Sequence, residues 1–315
     1  MNPDFPARPE PGPARPGPAM PHPARLAVGV IGAGRAGIAL GSALAQAGHQ
    51  VVAAAAVSEA SVHRARAAFP AAVITTEPGQ VLRRADLALL TVPDDVLPGL
   101  VAGLAATDAP MQGRMLVHAS GRHGLAVLEP ATRRGGLPLA LHPVMTFTGR
   151  GDDVDRLAGT CFGVTAPEVL RPAAEALVIE MGGEPVFIAE EHRDLYHAAL
   201  AGAANHLITL VAQAEDLLRA AGVPDPARLL GPLLSAALDN ALRFGDAGLT
   251  GPVARGDADT VAAHVAALDA EPSASPAAVA AYIAMARLTA DRALATGLLK
   301  PADAERLLGV LGGRP

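Results

Sequence analysis

A glycine-rich turn directly after a short apolar run constrains the fold of this 315-residue chain more than any other feature. Residues 26–31 have the length and apolar character of a buried strand, and Gly32, Gly34 and Gly37 follow them in the spacing G-x-G-x-x-G. An amphipathic helix pattern comes next, and residues 51–57 form a second strand-like run. This order predicts the start of a doubly wound α/β fold with a mostly parallel sheet.

Each glycine of this turn has its own expected role. Gly32 would permit the tight turn, Gly34 would let a pyrophosphate approach the backbone, and Gly37 would let the helix pack closely on the strand. The first helical residues, Arg35 and Ala36, add free amides at the positive end of the helix dipole, which favours an anion. We therefore expect a dinucleotide at this turn. A glycine turn without a ligand is the alternative.

The end of the second predicted strand indicates which dinucleotide binds. NAD sites usually carry an acidic residue about 20 residues after the glycines, where it holds the ribose hydroxyls. Ser58 occupies that place here, and Arg35 and Arg64 are near enough in sequence to bring positive charge to a 2'-phosphate. The sequence therefore favours NADP over NAD, although the neighbouring Glu59 keeps NAD as the alternative.

Candidate site residues follow three further strand-like runs, 87–92, 115–118 and 139–142. In a doubly wound sheet the ligand crevice lies at the carboxyl ends of the strands. The residues expected there are Val92, Pro93, Asp94, His118, Ser120 and His142.

The chain is expected to have three parts. Residues 1–24 contain nine prolines and no continuous apolar segment, which predicts a disordered tail. Residues 25–189 hold all the strand patterns and are expected to form a Rossmann domain. Residues 190–315 are helical in pattern almost to the end and predict an all-helical C-terminal domain.

Composition excludes several classes of partner and chemistry. The net charge is −6 and no basic stripe is interleaved with aromatics, so nucleic acid is not the expected partner. Cys161 is the only cysteine, so no intrachain disulfide can form; it is expected to fill the core, and the chain to be cytoplasmic. The uncharged stretch 36–57 fits a helix and a strand better than a membrane span. Lys300 is the only lysine, which excludes a Walker A loop.

Six short motifs occur in one order and carry a specific resemblance. They are Gly-Ala-Gly-Arg-Ala-Gly at 32–37, Thr-Val-Pro-Asp-Asp at 91–95, His-Ala-Ser-Gly at 118–121, Leu-His-Pro-Val-Met at 141–145, Leu-Tyr-His-Ala-Ala at 195–199 and Thr-Gly-Pro-Val-Ala-Arg-Gly-Asp at 250–257. Over residues 26–287 the chain resembles a bacterial family that pairs a Rossmann-like domain with a helical domain of unassigned function. That family belongs to the 6-phosphogluconate-dehydrogenase-like group, with ketopantoate reductase, pyrroline-5-carboxylate reductase and prephenate dehydrogenase. The resemblance implies an NADP-linked oxidoreductase whose helical part contacts substrate and forms a homodimer.

Some functional residues of these related enzymes have counterparts in this chain and others do not. The segment that starts at His142 resembles the His-Pro-Met segment beside the substrate of prephenate dehydrogenases. Asn205 stands where the related hydroxyacid dehydrogenases and ketopantoate reductases keep an asparagine that contacts substrate. Ala201 stands where those enzymes carry a catalytic lysine, so their proton-transfer step cannot apply unchanged.

Reduction of a carbonyl or imine needs a proton donor as well as hydride, and histidine is the natural candidate when lysine is excluded. His142 is the first choice, followed by His118 and by His197, for which a helix-packing role is an equal alternative. Ser120 and Asn205 are expected to orient the substrate oxygen by hydrogen bonds.

Two residues of the motif at 250–257 are candidates for substrate binding. Arg255, with Thr250 in the same motif, is the expected clamp for a substrate carboxylate, or else makes a structural contact, and Asp257 is expected to cap the next helix near Thr260. No metal site is expected.

The leading hypothesis is an NADP-dependent reductase of a small, ketopantoate-type 2-oxo acid. The alternatives are a prephenate- or arogenate-like dehydrogenase and a non-catalytic NADP sensor or scaffold.

Overall fold

The computed structural model describes residues 25–312, and in it the chain forms two compact units. One unit ends at Leu200 and the other begins at Ala201, so the boundary falls within the helical segment rather than before Glu190. The expected tail, 1–24, lies outside the described residues.

The N-terminal unit is built on an eight-stranded sheet with the order β3-β2-β1-β4-β5-β6-β7-β8. All neighbouring strands run parallel except β6 and β7, which are antiparallel. The strands are β1 Ala27–Ile31, β2 Gln50–Ala55, β3 Val73–Thr75, β4 Leu87–Leu90, β5 Met115–His118, β6 Leu137–Pro143, β7 Cys161–Thr165 and β8 Glu184–Phe187. This confirms the predicted doubly wound fold. The order reverses between β1 and β4, where ligand crevices form in such sheets.

The change of direction at β7 has a local cause. Only two short 3-10 turns, Gly151–Asp153 and Asp155–Leu157, lie between β6 and β7. A parallel neighbour needs a long crossover, which is usually a helix. Without that helix, β7 returns antiparallel, and β8 then pairs parallel to β7.

Helices cover both faces of the sheet. They are α1 Arg35–Gln46, α2 Glu59–Ala68, α3 Pro78–Leu82, α4 Leu97–Ala105, α5 Glu129–Thr132, α6 Arg171–Glu180 and α7 Arg193–Ala201. Alternate residues of one strand enter opposite cores: Leu89 packs on the α1 and α6 side, while Leu90 packs on the α3 and α4 side. Both faces are therefore buried, which explains why the strands are continuous apolar runs.

The C-terminal unit is helical, as predicted. Its helices are α8 Leu207–Ala220, α9 Pro226–Phe244, α10 Ala258–Ala270, α11 Pro276–Ala295 and α12 Pro301–Gly312. Val261, Ala290 and Leu307 lie in its buried core. Many apolar side chains of α8 and α9 are exposed, with Leu242 80% and Ile208 66% accessible.

One helical segment of the described chain, Glu190–Ala220, is long and apolar enough to cross a membrane by length and composition alone. Its most apolar window is exposed in the structure. A core helix of a soluble protein passes the same test, so this property is weak evidence for a membrane span.

Some expectations differ from the structure. Cys161 is exposed because it is the first residue of β7, so the prediction that it fills the core was wrong. Lys300 is exposed. The short elements β3 and α3 were not predicted, because runs of three and five residues carry little periodicity.

Candidate active site

The glycine turn has the geometry that the sequence predicted. Gly32 has φ +100°, a conformation that favours glycine. A Cβ on Gly37 would lie 2.3 Å from the Gly32 carbonyl oxygen, so only glycine allows α1 to pack this closely on the turn. A Cβ on Gly34 would meet nothing within 4 Å, and the backbone there is open to a ligand. The first amides of α1, which begins at Arg35, have no partner within the helix.

A cavity of about 540 Å³ opens at this turn, within the N-terminal unit. Its walls come from the glycine turn, the end of β2, the first turns of α2 and the residues after β4. Of the residues expected to bind the cofactor, it brings together Gly32, Gly34, Ser58, Arg64, Val92 and Pro93. Arg35, Ala36, Gly37 and Asp94 do not line it. The cavity is large enough for part of a dinucleotide.

Ser58 has a role that the sequence analysis missed, because it is the N-cap of α2. Its Oγ accepts a hydrogen bond from the Ser61 amide at 3.2 Å and donates one to Ser61 Oγ at 3.0 Å. Both serines line the cavity, and so does Arg64 one turn further along α2. The Ser61 hydroxyl in turn donates to the Ser58 carbonyl oxygen at 2.7 Å, so both hydroxyl hydrogens are used within the cap. The positive end of the α2 dipole and the Arg64 side chain lie at the cavity wall together.

Among the described residues, the charged side chain that lines the cavity is the arginine Arg64. Its Nε is buried without a hydrogen-bond partner, and no carboxylate contributes to the wall. Glu59, which kept NAD as the alternative, is exposed and lies outside the lining. The wall is thus suited to an anionic group and lacks the acid that holds ribose hydroxyls in NAD sites.

Arg35 contacts a loop that follows β6. Its guanidinium donates to the Phe147 carbonyl oxygen at 3.3 Å. The loop is held by the buried Asp153 carboxylate, which accepts from the Thr148 amide and hydroxyl and from the Gly149 amide at 2.7 to 3.0 Å. Burial raises the pKa of Asp153, but these hydrogen bonds lower it more, and the net pKa is below its usual value.

The histidines at the strand ends lie in different environments. His118, at the end of β5, is fully buried, and both ring nitrogens are engaged. Its Nδ1 accepts from the Ser120 amide at 3.3 Å, so Nε2 carries the proton donated to the Gly124 carbonyl at 2.8 Å. Burial, opposed by that hydrogen bond, lowers the pKa of His118 to about 4. This ring organises the loop after β5 and has no free nitrogen for a substrate.

His142 is only half-buried and is paired with a residue that the sequence analysis missed. Its Nδ1 lies 2.8 Å from the Tyr196 hydroxyl of α7, and the two rings meet edge to face. Burial and the nearby Arg193 charge lower the pKa of His142 to about 4, so the ring is neutral at pH 7. Nε2 makes no hydrogen bond among the described residues.

Gly121 and His197 complete the surroundings of His142. The His197 ring lies edge to face with His142 at a centroid distance of 6.4 Å. A Cβ on Gly121 would meet both rings, so this glycine lies against them. The structure therefore places His142 and His197 side by side, and their catalytic roles stay predictions.

Arg193 is a buried cation that sequence reasoning did not single out. It is 2% exposed, and Nε donates to Thr165 Oγ1 at 2.7 Å, while Nη2 donates to the carbonyls of Ala140 and Gly163 at 3.3 and 3.0 Å. Nη1 is buried without a partner, and no carboxylate pairs with this guanidinium among the described residues. Nothing in the sequence distinguishes it from the other arginines.

The loops after β4 and β5 are tied to each other. His123 Nε2 lies 3.0 Å from the Asp94 carbonyl oxygen, and the His123 amide donates to Ser120 Oγ at 3.0 Å. Ser120 is buried, so its hydroxyl shapes this loop. The Glu190 carboxylate accepts from the Leu125 and Ala126 amides and anchors the far end.

Three predicted substrate residues lie in the C-terminal unit. Asn205 is exposed in a single π-helical turn, Gly202–His206, and such turns are frequent at functional sites. Arg255 is exposed and donates to the Thr250 carbonyl. The predicted cap is confirmed, since Asp257 accepts from the Thr260 amide at 3.1 Å. The substrate roles of Asn205, Arg255 and Thr250 stay predictions. Across residues 25–312, no cluster of three potential ligands could hold a metal ion.

Family models match most of the chain. Residues 13–143 match the Rossmann-like domain, and residues 160–289 match the domain of unknown function DUF2520. The chain pairs a Rossmann-like domain with a DUF2520 domain. The DUF2520 match begins within the sheet, just before β7, and therefore includes His197, Asn205 and Arg255. Among curated protein sequences, none matches this chain.

Several solved structures share the fold. A candidate NADP oxidoreductase from Bacteroides fragilis matches with a TM-score of 0.70 at 20% identity, over 85% of this chain and 98% of that one. An imine reductase from Myxococcus stipitatus in complex with NADP+ gives 0.65 at 19% identity, over 90% and 99%. A reductive aminase from Aspergillus terreus in complex with NADPH and ethyl levulinate gives 0.61 at 15%, over 90% and 99%. These likenesses show that the chain shares the fold of these proteins.

Proposed function

We propose that this Rossmann-like and DUF2520 protein is an NADP(H)-dependent oxidoreductase that acts on a small molecule. The observation that carries the proposal is the cavity at the glycine turn, lined by Ser58, Ser61 and Arg64 and by no carboxylate of the described chain. The similarity in fold to proteins whose names include NADP oxidoreductase, and to an imine reductase in complex with NADP+, supports it.

The cofactor assignment follows from the charges in the wall. A 2'-phosphate placed at the start of α2 would meet the positive end of the helix dipole and the guanidinium of Arg64, whose Nε is unpaired. NAD has only hydroxyl groups at that position, so it would leave the buried Nε without a partner, which is unfavourable. NADP is therefore the expected cofactor, and it would supply the hydride when bound.

His142 is the proposed proton donor. Its Nδ1 is held by Tyr196, and its Nε2 has no partner among the described residues. With a pKa of about 4, the ring is neutral at pH 7 and donates through Nε2–H rather than as an imidazolium. His118, with both nitrogens engaged, is assigned a positioning role, and Ser120 shapes the loop that carries it.

The charge near His142 favours a particular class of substrate. Arg193 has no carboxylate partner in residues 25–312, so its charge would stabilise the negative oxygen that develops when a carbonyl is reduced. A protonated imine would be repelled by the same charge. We therefore keep a small 2-oxo acid as the first candidate, with a ketopantoate-type acid as the example. Imine reduction is the second candidate because imine reductases share the fold.

Turnover tests this proposal directly. The purified protein is incubated with NADPH and a panel of 2-oxo acids, cyclic imines and, for the reverse reaction with NADP+, prephenate and arogenate. Oxidation of NADPH by an oxo acid, lost in His142→Ala while NADPH still binds, is the expected result. Binding of NADPH without turnover of any panel member would favour a non-catalytic sensor instead.

The exposed apolar faces of α8 and α9 support a second proposal, that the DUF2520 domain forms a homodimer. Leu238 and Leu242, one turn apart on α9, are 53% and 80% exposed, and contiguous apolar side chains open to water mark an interaction surface. The double substitution Leu238→Glu/Leu242→Glu is expected to give a monomer by light scattering. Leu308→Glu on α12 is the control, and a wild-type protein that is monomeric at micromolar concentration would contradict the proposal.

A further inference from the structure

The buried guanidinium of Arg193 is an unusual group in the N-terminal unit, and the stabilisation of a substrate oxygen does not by itself explain why it lies beside Tyr196. A buried charge is costly unless it is paired, and the partners of Arg193 are a hydroxyl and two carbonyl oxygens. The arginine also stacks on the Tyr196 ring, with Cζ 5.6 Å from the ring centroid. The charge is therefore held against the residue that contacts His142.

Tyr196 is arranged to donate its proton to His142. Its oxygen is hydrogen-bonded by the Gly163 backbone, which leaves the hydroxyl hydrogen for His142 Nδ1 at 2.8 Å. This fixes the His142 proton on Nε2, the nitrogen that has no partner among the described residues. A Cβ on Gly163 would lie 2.3 Å from the Tyr196 oxygen, so glycine is required for this approach.

We infer that Arg193, Tyr196 and His142 form a proton relay in which Tyr196 supplies the proton that His142 passes to the substrate. The inference rests on the proposed reductase function. His142 Nε2–H gives its proton to the developing oxyanion, while Nδ1 takes the proton of the Tyr196 hydroxyl. The ring changes tautomer without becoming a cation, and Tyr196 becomes a phenolate beside the Arg193 cation. After the product leaves, a solvent proton binds Nε2 and Nδ1 returns its proton to the phenolate, which restores the starting tautomer, so atoms and charge balance.

The relay solves a problem that a lone histidine would face. Burial and the Arg193 charge disfavour an imidazolium at His142, as does the adjacent His197, while Asp94 opposes them. Burial raises the phenol pKa of Tyr196 above its usual value and the Cys161 side chain adds to this, whereas the Arg193 charge and the Gly163 hydrogen bond limit the rise. The same positive charge thus disfavours protonated histidine and favours ionised tyrosine. Arg193 acts through Tyr196, as a positioning residue.

The relay can be read without turnover because the chain has two tyrosines and no tryptophan. Tyr282 is the matched control: its hydroxyl also lies 2.8 Å from a histidine Nδ1, that of His264, in the C-terminal unit. In a Tyr282→Phe background, phenolate absorbance reports Tyr196 alone. Arg193→Met is expected to raise the Tyr196 pKa by about one pH unit or more, while Arg193→Lys keeps most of the effect because it keeps the charge.

Turnover supplies the second readout. Tyr196→Phe is expected to lower kcat by about tenfold or more with little change in KM, and to change the solvent isotope effect. This loss is smaller than the ~10²–10⁴ that a direct proton donor contributes. Tyr282→Phe is expected to leave both unchanged. A wild-type rate and isotope effect in Tyr196→Phe would overturn the relay, and so would a Tyr196 pKa that is the same in folded Arg193→Met. If Arg193→Met does not fold, the Tyr196→Phe kinetics decide.

These results separate the relay from the proposed function. Absence of NADPH oxidation by the wild-type protein, with the expected shift in the Tyr196 titration, would contradict the reductase and with it the catalytic use of the relay. An unshifted titration or an undiminished Tyr196→Phe in an active enzyme would contradict the relay alone.

Discussion

Gly121 lies against the rings of both His142 and His197, since a Cβ at Gly121 would lie 2.9 Å from His142 Nε2 and 2.8 Å from His197 Cδ2. The backbone of the loop after β5 therefore sets how close the two rings lie. A side chain there would have to displace at least one ring.

Gly121→Ala is expected to move the proposed acid while leaving the cofactor cavity intact. Because the added methyl group overlaps both rings, we expect a loss of about 1–3 kcal/mol in unfolding free energy and a clear drop in kcat. The NADPH dissociation constant should stay within about twofold, since Gly121 does not line the cavity. A variant with wild-type kcat would show that the ring positions do not matter for turnover.

Stability is expected to fall in acid because two histidines are held neutral in the folded state. The pKa values of His118 and His142 are lowered to about 4 from an ordinary value near 6.5. The unfolded chain therefore binds more protons between these pH values, and the free energy of unfolding should decrease as pH falls from about 6.5 to about 4. For the buried His118 the full effect is roughly 3 kcal/mol.

NMR titration of the ring protons checks this prediction residue by residue. We expect the His118 and His142 resonances to titrate near pH 4, and His118→Gln to flatten part of the acid dependence. Titration of either ring near pH 6.5 in the folded protein would contradict the burial argument.

The carboxylate of Asp153 gives an independent acid-sensitive contact. Its lowered pKa means that the stabilising charge is present above the unfolded value and is lost as pH falls through the folded value. Asp153→Asn should destabilise the protein by about 1–3 kcal/mol, because the Thr148 and Gly149 amides lose a charged acceptor. Asp152→Asn, on the same 3-10 turn but exposed, is the control in thermal unfolding. Equal melting temperatures for the two variants would contradict the assignment.

The sequence predicted the glycine turn and the strand ends because both depend on local spacing. Gly32 and Gly37 are needed for backbone reasons that the G-x-G-x-x-G pattern encodes, and His118 and His142 follow from where apolar runs stop. The different roles of those two histidines depend on tertiary contacts: His118 contacts the Gly124 carbonyl, and His142 contacts Tyr196.

Arg193 and Tyr196 could not be recognised in the same way. Arg193 is one of 24 arginines in a helical pattern, so its residue type carries no signal. Tyr196 belongs to the motif at 195–199, but the motif does not say which side chain it contacts. Their importance comes from partners far away in sequence, in β6 and β7. The antiparallel direction of β7 follows from the lack of a crossover helix between β6 and β7, and the hydrophobic periodicity of the sequence did not predict it.

The affinities for NADPH and NADH give the most direct test that the cavity at the glycine turn binds NADP. Dissociation constants for NADPH and NADH are measured by fluorescence for the wild-type protein, for Arg64→Ala and for the control Arg66→Ala, whose side chain is exposed on the same helix outside the cavity lining. We expect the wild type to bind NADPH more tightly than NADH. Arg64→Ala is expected to lose about tenfold or more of the NADPH affinity with NADH affinity unchanged, and Arg66→Ala to behave as wild type. Equal wild-type affinities for NADPH and NADH, or an Arg64→Ala variant that keeps full NADPH affinity, would contradict this assignment.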